Sequence, residues 1–141
     1  MISLHHTHLM ASDIDATIAF WREHFRGEVV FDGLFAGVRN VFMRVGQGKL
    51  HFYAQPPKHH GAATVHHLGL ETDELHDLVR RLKAAAVSVT DVRELSEASY
   101  AMAQGPDGVL LELFQPNAAR VDDTLRSAGY FATVANEGGA G

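Results

Sequence analysis

Histidine is the residue type that stands out in this chain, because ten imidazoles occur among 141 residues. They fall in clusters along the sequence rather than in one terminal run, as in the stretches HHTH at 5–8 and HH at 66–67. Imidazole is the commonest metal ligand among side chains and also an acid or base near neutral pH. Metal binding and proton transfer are therefore the two kinds of chemistry that the sequence favours.

Four candidate ligands occupy matching places in the two halves of the chain. The spacing from His6 to His51 is 45 positions, and the spacing from His67 to Glu112 is the same. The spacing from His6 to His67 is 61 positions, which equals that from His51 to Glu112. Such a pattern indicates duplication of one structural unit, with a site shared by both copies. Three imidazoles and one carboxylate favour a borderline divalent ion, namely Zn, Ni, Co, Mn or Fe.

Both halves show the same order of sequence patterns. A short strand-like run, LHHTHLMA in the first half and VHHLGL in the second, precedes apolar residues at helical spacing. Ser12 or Asp13 is expected to cap the first helix, and Thr72 or Asp73 the second. Three further strands are predicted in each half, and a Gly-marked turn precedes the last of them. These strands and turns lie at 28–31, 38–45 and 46–53, and at 87–92, 100–103 and 105–114.

This order predicts an α+β fold of two βαβββ modules that form a curved, cup-like mixed sheet, with a metal site at the module interface. The first module is expected over 1–55 and the second over 64–116, joined by a linker at 56–63. The C-terminal segment, 117–141, is expected to be helical from Ala118 to Ser127 and to end in a mobile tail. The apolar helix positions expected in the core are Ile14, Ile18, Trp21, Phe25, Leu75, Leu78, Val79 and Leu82.

Strand alternation groups the candidate site residues on one face of each strand. His8 shares a face with His6, and Tyr53 shares a face with His51, while the opposite faces are mostly apolar. The face that carries these candidates is expected to line a cavity. By the same alternation, His5 should point away from that cavity. Imidazoles and a carboxylate in a semi-buried cavity need a compensating cation, because their desolvation is costly.

These residues resemble the vicinal oxygen chelate superfamily, which includes glyoxalase I, methylmalonyl-CoA epimerase, extradiol dioxygenases, and fosfomycin and bleomycin resistance proteins. The likeness covers roughly residues 2–116 and is carried by LHHTH with SDI, AFW, HLGL, and GPDG leading to LEL. In that family the metal ligands lie on the first and last strands of each module. The matching positions here are His6, His51, His67 and Glu112. His51 departs from the pattern, because glyoxalase I usually carries Glu there and the epimerase carries Gln.

The resemblance implies a metal-dependent lyase or isomerase of the glyoxalase type. It would act by Lewis-acid-assisted proton transfer on a small substrate that chelates through vicinal oxygens. Glu112 or a released ligand would be the base, and His51, His8 and Tyr53 are the other catalytic candidates.

Two alternatives stay open at this point. One is an extradiol-type ring-cleavage dioxygenase that uses Fe(II) on a catechol, with His51 standing off the metal. The other is a non-catalytic resistance protein that binds a drug or metabolite in the same cup. A transferase resembling the fosfomycin enzymes should carry a potassium loop and more basic cavity residues, neither of which we identify in the sequence.

Composition argues against several other classes of protein. The net charge is -5 and the basic residues are scattered, whereas nucleic-acid binding usually needs a basic patch. No apolar run approaches the roughly 18 residues of a membrane span, and the N-terminal residues do not resemble a signal peptide. The lack of cysteine excludes disulfides and thiolate chemistry. We therefore expect a cytoplasmic homodimer that acts on a small molecule, with no nucleic-acid or membrane partner.

Overall fold

The computed structural model describes residues 1, 5–35, 37–58, 65 and 67–135, and in it the order strand, helix, strand, strand, strand occurs twice. The first set comprises β1 (Thr7–Met10), α1 (Ile14–Phe25), β2 (Glu28–Phe35), β3 (Val38–Val45) and β4 (Gly48–Tyr53). The second set comprises β5 (Leu68–Glu71), α2 (Leu75–Ala84), β6 (Arg93–Glu94), β7 (Ala98–Gln104) and β8 (Leu110–Pro116). A short helix, α3 (Asp123–Ser127), follows.

Each set forms one four-stranded mixed sheet with the same strand order. The orders are β1-β4-β3-β2 and β5-β8-β7-β6, and neither sheet closes on itself. The first strand pairs in parallel with the last, and the other pairs are antiparallel. The predicted α+β fold with two βαβββ units is therefore confirmed. The chain divides into two compact units, Met1–Ala62 with Gly105–Gly108, and Ala63–Gln104 with Val109–Gly141.

Helix α1 begins at one of the two predicted caps. The Asp13 carboxylate accepts the backbone N–H of Ala16 at 3.0 Å, an interaction that typically stabilises a helix by about 0.5–2 kcal/mol. The helix ends at Arg26, which has a left-handed φ of 54°. Gly27 follows, and a Cβ at that position would lie only 3.0 Å from the carbonyl oxygen of Trp21. The chain can therefore turn tightly from the helix into β2 because residue 27 has no side chain.

The helix-facing side of the first sheet forms an apolar core. Trp21 is 1% exposed, and its ring centroid lies 5.3 Å from that of Phe25 and 6.3 Å from that of Phe52. Ile14 and Ile18 are buried as predicted, whereas Phe25 is half-buried. The sheet residues buried on this side are Val41, Met43, Leu50 and Phe52.

Helix α2 covers the second sheet in the same way, and all four of its predicted core residues are buried. Its N-cap prediction is wrong, because Glu74 occupies the cap position instead of Thr72 or Asp73. The Thr72 hydroxyl accepts the N–H of Glu74 at 3.0 Å, and the Gln115 side chain accepts the N–H of Leu75 at 3.1 Å. A residue of the last strand thus satisfies a first-turn donor of the helix, which the local sequence could not reveal.

The predicted strand at 87–92 is wrong. This segment pairs with β7 through an isolated bridge between Val89 and Ala103, and the ladder itself is limited to Arg93–Glu94. The Thr90 hydroxyl accepts the N–H of Met102 at 3.0 Å, and the Thr90 N–H donates to the Met102 carbonyl at 2.9 Å. A side-chain oxygen therefore takes one of the bonds that a regular ladder would make between backbone groups.

The C-terminal helix is shorter than predicted. A 3-10 turn at Ala118–Arg120 is separated from α3 by Val121 and Asp122, and the Asp122 carboxylate caps α3 by accepting the Thr124 N–H at 2.8 Å. Residues 59–63 of the predicted linker and residues 136–141 of the predicted mobile tail lie outside the described residues. Among the helices of the described residues, none has the length and apolar character needed to cross a membrane.

Candidate functional site

The first sheet carries His8, His51 and Tyr53 on the face opposite its buried core. In the parallel pairing of β1 with β4, His8 lies opposite His51 and Met10 lies opposite Tyr53. Directly paired residues point to the same side of a sheet. This grouping agrees with the strand alternation read from the sequence. The His8 ring lies 5.7 Å from the Tyr53 ring and 6.5 Å from the His6 ring.

His51 lies between two parallel rings. Its centroid is 3.7 Å from that of His6, at an interplanar angle of 12°, and 3.8 Å from that of Phe42, at 13°. Burial lowers the pKa of His51, and the charges of His6, His5 and His8, when protonated, lower that pKa further. His51 therefore stays neutral at a pH where an ordinary imidazole begins to protonate. The neutral form is the one that binds a metal.

His5 joins this group, contrary to the prediction from strand alternation. Its Nδ1 lies 3.1 Å from Nδ1 of His6, and its ring centroid lies 6.1 Å from that of His51. Among the described residues, these three form the one group of at least three His, Cys, Asp or Glu side chains whose ligand atoms lie within 4.8 Å of one another. The prediction failed because β1 begins at Thr7, so alternation does not extend back to residue 5. The signal in the sequence was the adjacent pair of histidines.

The second sheet brings His67 and Glu112 together. Nε2 of His67 lies 3.4 Å from Oε2 of Glu112, and the two side chains are 34% and 32% exposed. Glu112 lies opposite Gly69 in β5 and opposite Met102 in β7. Gly69 carries no side chain, and the Phe114 ring lies over it. The two partly exposed groups are thus available both to each other and to a third species.

The Gly-marked turn at 105–108 is tied to the start of α1. Ser12, the other predicted cap of that helix, donates its backbone N–H to Asp107 Oδ2 at 3.1 Å and its hydroxyl to Asp107 Oδ1. Asp107 has a left-handed φ of 57°, and Gly108 follows with a φ of 76°. Aspartate and glycine are residue types that tolerate this conformation. The GPDG motif therefore builds a turn whose carboxylate holds the residue before the α1 cap.

The donor atoms of each group, taken by itself, are of the types that bind a divalent metal. The first unit offers imidazole nitrogens of His6, His51 and His5, and the second offers His67 and the Glu112 carboxylate. Imidazole nitrogen and carboxylate oxygen are ordinary ligands of Zn and of neighbouring transition metals. The lowered pKa of His51 favours the same conclusion, because a neutral imidazole keeps its lone pair free for a cation.

Comparison with known proteins shows which proteins share this fold. A family model described as the Glyoxalase/Bleomycin resistance protein/Dioxygenase superfamily matches residues 3–113. No curated protein matches the sequence.

Three solved structures illustrate the likeness. The fosfomycin resistance protein FosX from Listeria monocytogenes has a TM-score of 0.72 at 20% identity, covering 85% of this chain and 98% of that chain. A complex of FosX with Mn(II) and sulfate has a TM-score of 0.68 at 18% identity, covering 85% and 98%. Lactoylglutathione lyase from Agrobacterium tumefaciens has a TM-score of 0.61 at 23% identity, covering 80% and 92%. At these identities the structures are alike in fold.

Proposed function

The chain belongs to the Glyoxalase/Bleomycin resistance protein/Dioxygenase superfamily, and on that premise we propose that it is a metal-dependent lyase or isomerase of the glyoxalase type. Its substrate is a small molecule that carries oxygens on two adjacent carbons. The observation that carries this proposal is the set of donors on the two sheets. His6 stacks on His51, whose lowered pKa favours the neutral imidazole. Nε2 of His67 lies 3.4 Å from the Glu112 carboxylate.

The proposed cofactor is one divalent ion of Zn, Ni, Co, Mn or Fe, held by His6, His51, His67 and Glu112. A FosX structure of the same fold contains Mn(II). When bound, such an ion supplies Lewis-acid polarisation of the substrate oxygens. The order of affinities among these metals does not select one of them, so the proposal names the class.

The side chains around the donors supply the other parts of a proton-transfer site. Glu112 is a carboxylate that is only about one-third exposed, as a base acting beside a desolvated substrate should be. His8 and Tyr53 lie on the same face as His51. In the proposal they donate hydrogen bonds to substrate oxygens, and Glu112 accepts the proton from the neighbouring carbon.

One observation favours a second function, extradiol cleavage of a catechol with Fe(II). His51 stacks on Phe42 at 3.8 Å as well as on His6 at 3.7 Å. An imidazole held in this way can serve as an acid or base without binding the metal. The triad His6, His67 and Glu112 would then leave three positions for the catecholate and oxygen.

Removal and replacement of the metal separates these functions. We expect a chelator to lower isomerisation of a hemithioacetal by more than about 100-fold, because metal catalysis supplies several kcal/mol of transition-state stabilisation. Re-addition of Zn, Ni, Co or Mn should restore the activity, and mass spectrometry of the untreated protein should find about one metal per chain. Oxygen uptake on a catechol with Fe(II) would instead support the dioxygenase. A protein without bound metal would contradict both and favour a drug- or metabolite-binding protein.

We also propose that the chain forms a homodimer through β2, which lies at the edge of its sheet. Val30 is 60% exposed and Leu34 is 72% exposed on this strand. A long apolar edge strand is prone to association unless another chain covers it. Sedimentation should therefore give twice the chain mass of 15.4 kDa. Leu34→Asp should yield monomers, whereas Leu95→Asp, at a 58% exposed position of the other unit, should not. A monomeric wild-type protein would contradict the proposal.

A further inference from the structure

Part of the chain beyond the family match, residues 130–135, lies against the second sheet. The family model ends at residue 113, but the chain continues through α3 to a described stretch at 130–135, which we call the C-terminal strap. Val134 of this strap is 7% exposed, so the strap is packed against the protein instead of lying free in solvent. Because the strap lies beyond the residues that the family model matches, specific interactions of this chain must hold it in place.

Glu71 at the end of β5 fixes the strap. One of its carboxylate oxygens accepts the backbone N–H of Ala132 at 3.0 Å. The other oxygen accepts the N–H of Thr133 at 2.7 Å and the Thr133 hydroxyl at 2.6 Å. Hydrogen bonds to an ionised carboxylate are shorter and stronger than those between neutral groups. The half-buried carboxylate thus holds two consecutive residues of the strap in one conformation.

The strap is fixed on the sheet face that carries Glu112. Glu71 lies opposite Phe114, and Gly69 lies opposite Glu112, in the parallel pairing of β5 with β8. Residues two apart on a strand point to the same side. The side chains of Glu71, Phe114 and Glu112 therefore share one face.

Aromatic rings continue from Glu112 to the strap along this face. The Phe114 ring passes over Gly69, with Cε1 at 3.6 Å from the position that a Cβ of Gly69 would take. The Phe131 ring meets Phe114 edge-to-face, with centroids 6.2 Å apart. Both phenylalanines are half-buried, so each retains a surface that a ligand can contact.

We propose that the C-terminal strap forms an apolar wall beside Glu112 and that Phe131 determines specificity by contacting an apolar substituent of the substrate. This inference rests on the proposed function, since it assumes that the substrate binds at Glu112. Glu71 is a positioning residue, because it acts only by holding the strap. The substrate class thereby narrows to vicinal-oxygen compounds with an aromatic or branched substituent.

The test uses ligands that chelate a metal through two adjacent oxygens, without turnover. Calorimetry on the metal-loaded, full-length protein compares benzohydroxamate with acetohydroxamate, which differ in the apolar substituent. We expect Phe131→Ala to reduce the preference for the benzo compound by about tenfold and to leave acetohydroxamate affinity unchanged. The control is Leu95→Ala, which removes an apolar side chain that is 58% exposed and lies outside the strap, and which should keep the preference.

A second variant tests the positioning role of Glu71. Glu71→Gln should speed hydrogen exchange at the Ala132 and Thr133 amides and reduce the benzo preference in the same direction, while Glu71→Asp should rescue part of both. If Phe131→Ala keeps the preference for benzohydroxamate while the Ala132 and Thr133 amides remain protected from exchange, this inference is overturned. The proposed function is unaffected by that result. Failure of the metal-loaded wild-type protein to bind either hydroxamate contradicts the proposed function and this inference together.

Discussion

Replacement of Glu112 by alanine should weaken binding of a divalent metal by more than about 100-fold, since changes to groups that merely support a ligand already cost about 10–100-fold. Glu112 is the one carboxylate of the proposed donor set, and it lies 3.4 Å from His67. The same change should lower kcat/KM for hemithioacetal isomerisation by at least about 100-fold, because a positioned base contributes about 10²–10⁴. Metal titration by calorimetry measures the first effect, and steady-state kinetics measures the second.

Glu23→Ala is the matched control for this variant. It removes the same charge from an exposed position on α1, so it should keep both metal affinity and activity. Thermal unfolding of the two metal-free variants should differ little, which would separate loss of a ligand from loss of the fold. Retention of wild-type metal affinity in Glu112→Ala would show that this carboxylate is not a ligand.

Replacement of Trp21 by alanine should destabilise the protein by about 3–5 kcal/mol, the usual cost of truncating a large buried aromatic residue. Trp21 is 1% exposed and is held between α1 and the first sheet, with its ring 5.3 Å from Phe25 and 6.3 Å from Phe52. The change leaves a cavity that these neighbours can fill only in part. Urea denaturation followed by circular dichroism gives the free energy of unfolding, and this probe is needed because Trp21 is the only tryptophan.

The control for the core prediction is Leu95→Ala, at a position that is 58% exposed. Surface changes of this kind are usually within about 0.5 kcal/mol of neutral. A loss below about 1 kcal/mol in Trp21→Ala would mean that the core closes over the missing ring, contrary to the close packing of protein interiors.

The parts of the fold that follow from local periodicity could be predicted from the sequence. The apolar spacing of Ile14, Ile18 and Trp21 identifies the buried face of α1, and the same rule identifies all four core residues of α2. The matching spacings of the candidate ligands predict a repeated structural unit. The two sheets, which have the same strand order, confirm this repeat. These features depend on residues close in sequence or on the repetition itself.

The features that the sequence did not predict depend on contacts between distant residues. The α2 cap shifts because Gln115, 40 positions further on, accepts the Leu75 N–H. Glu71 holds Thr133 across 62 positions, and no local pattern marks either residue. His5 was assigned to the wrong side because strand alternation was applied to a residue that precedes the strand. Long-range side-chain hydrogen bonds and exact strand ends leave little periodic signal.

The tie between Asp107 and Ser12 has a consequence for biosynthesis. The first compact unit contains Met1–Ala62, but it also contains Gly105–Gly108, whose carboxylate holds the residue before the α1 cap. On the ribosome, this last piece emerges only after α2 and β7 have been made. The first unit therefore cannot form the contact between Ser12 and Asp107 until residues 105–108 have been synthesised. A gene fragment encoding residues 1–62 alone would give a product that lacks the turn at 105–108 and its contact with Ser12.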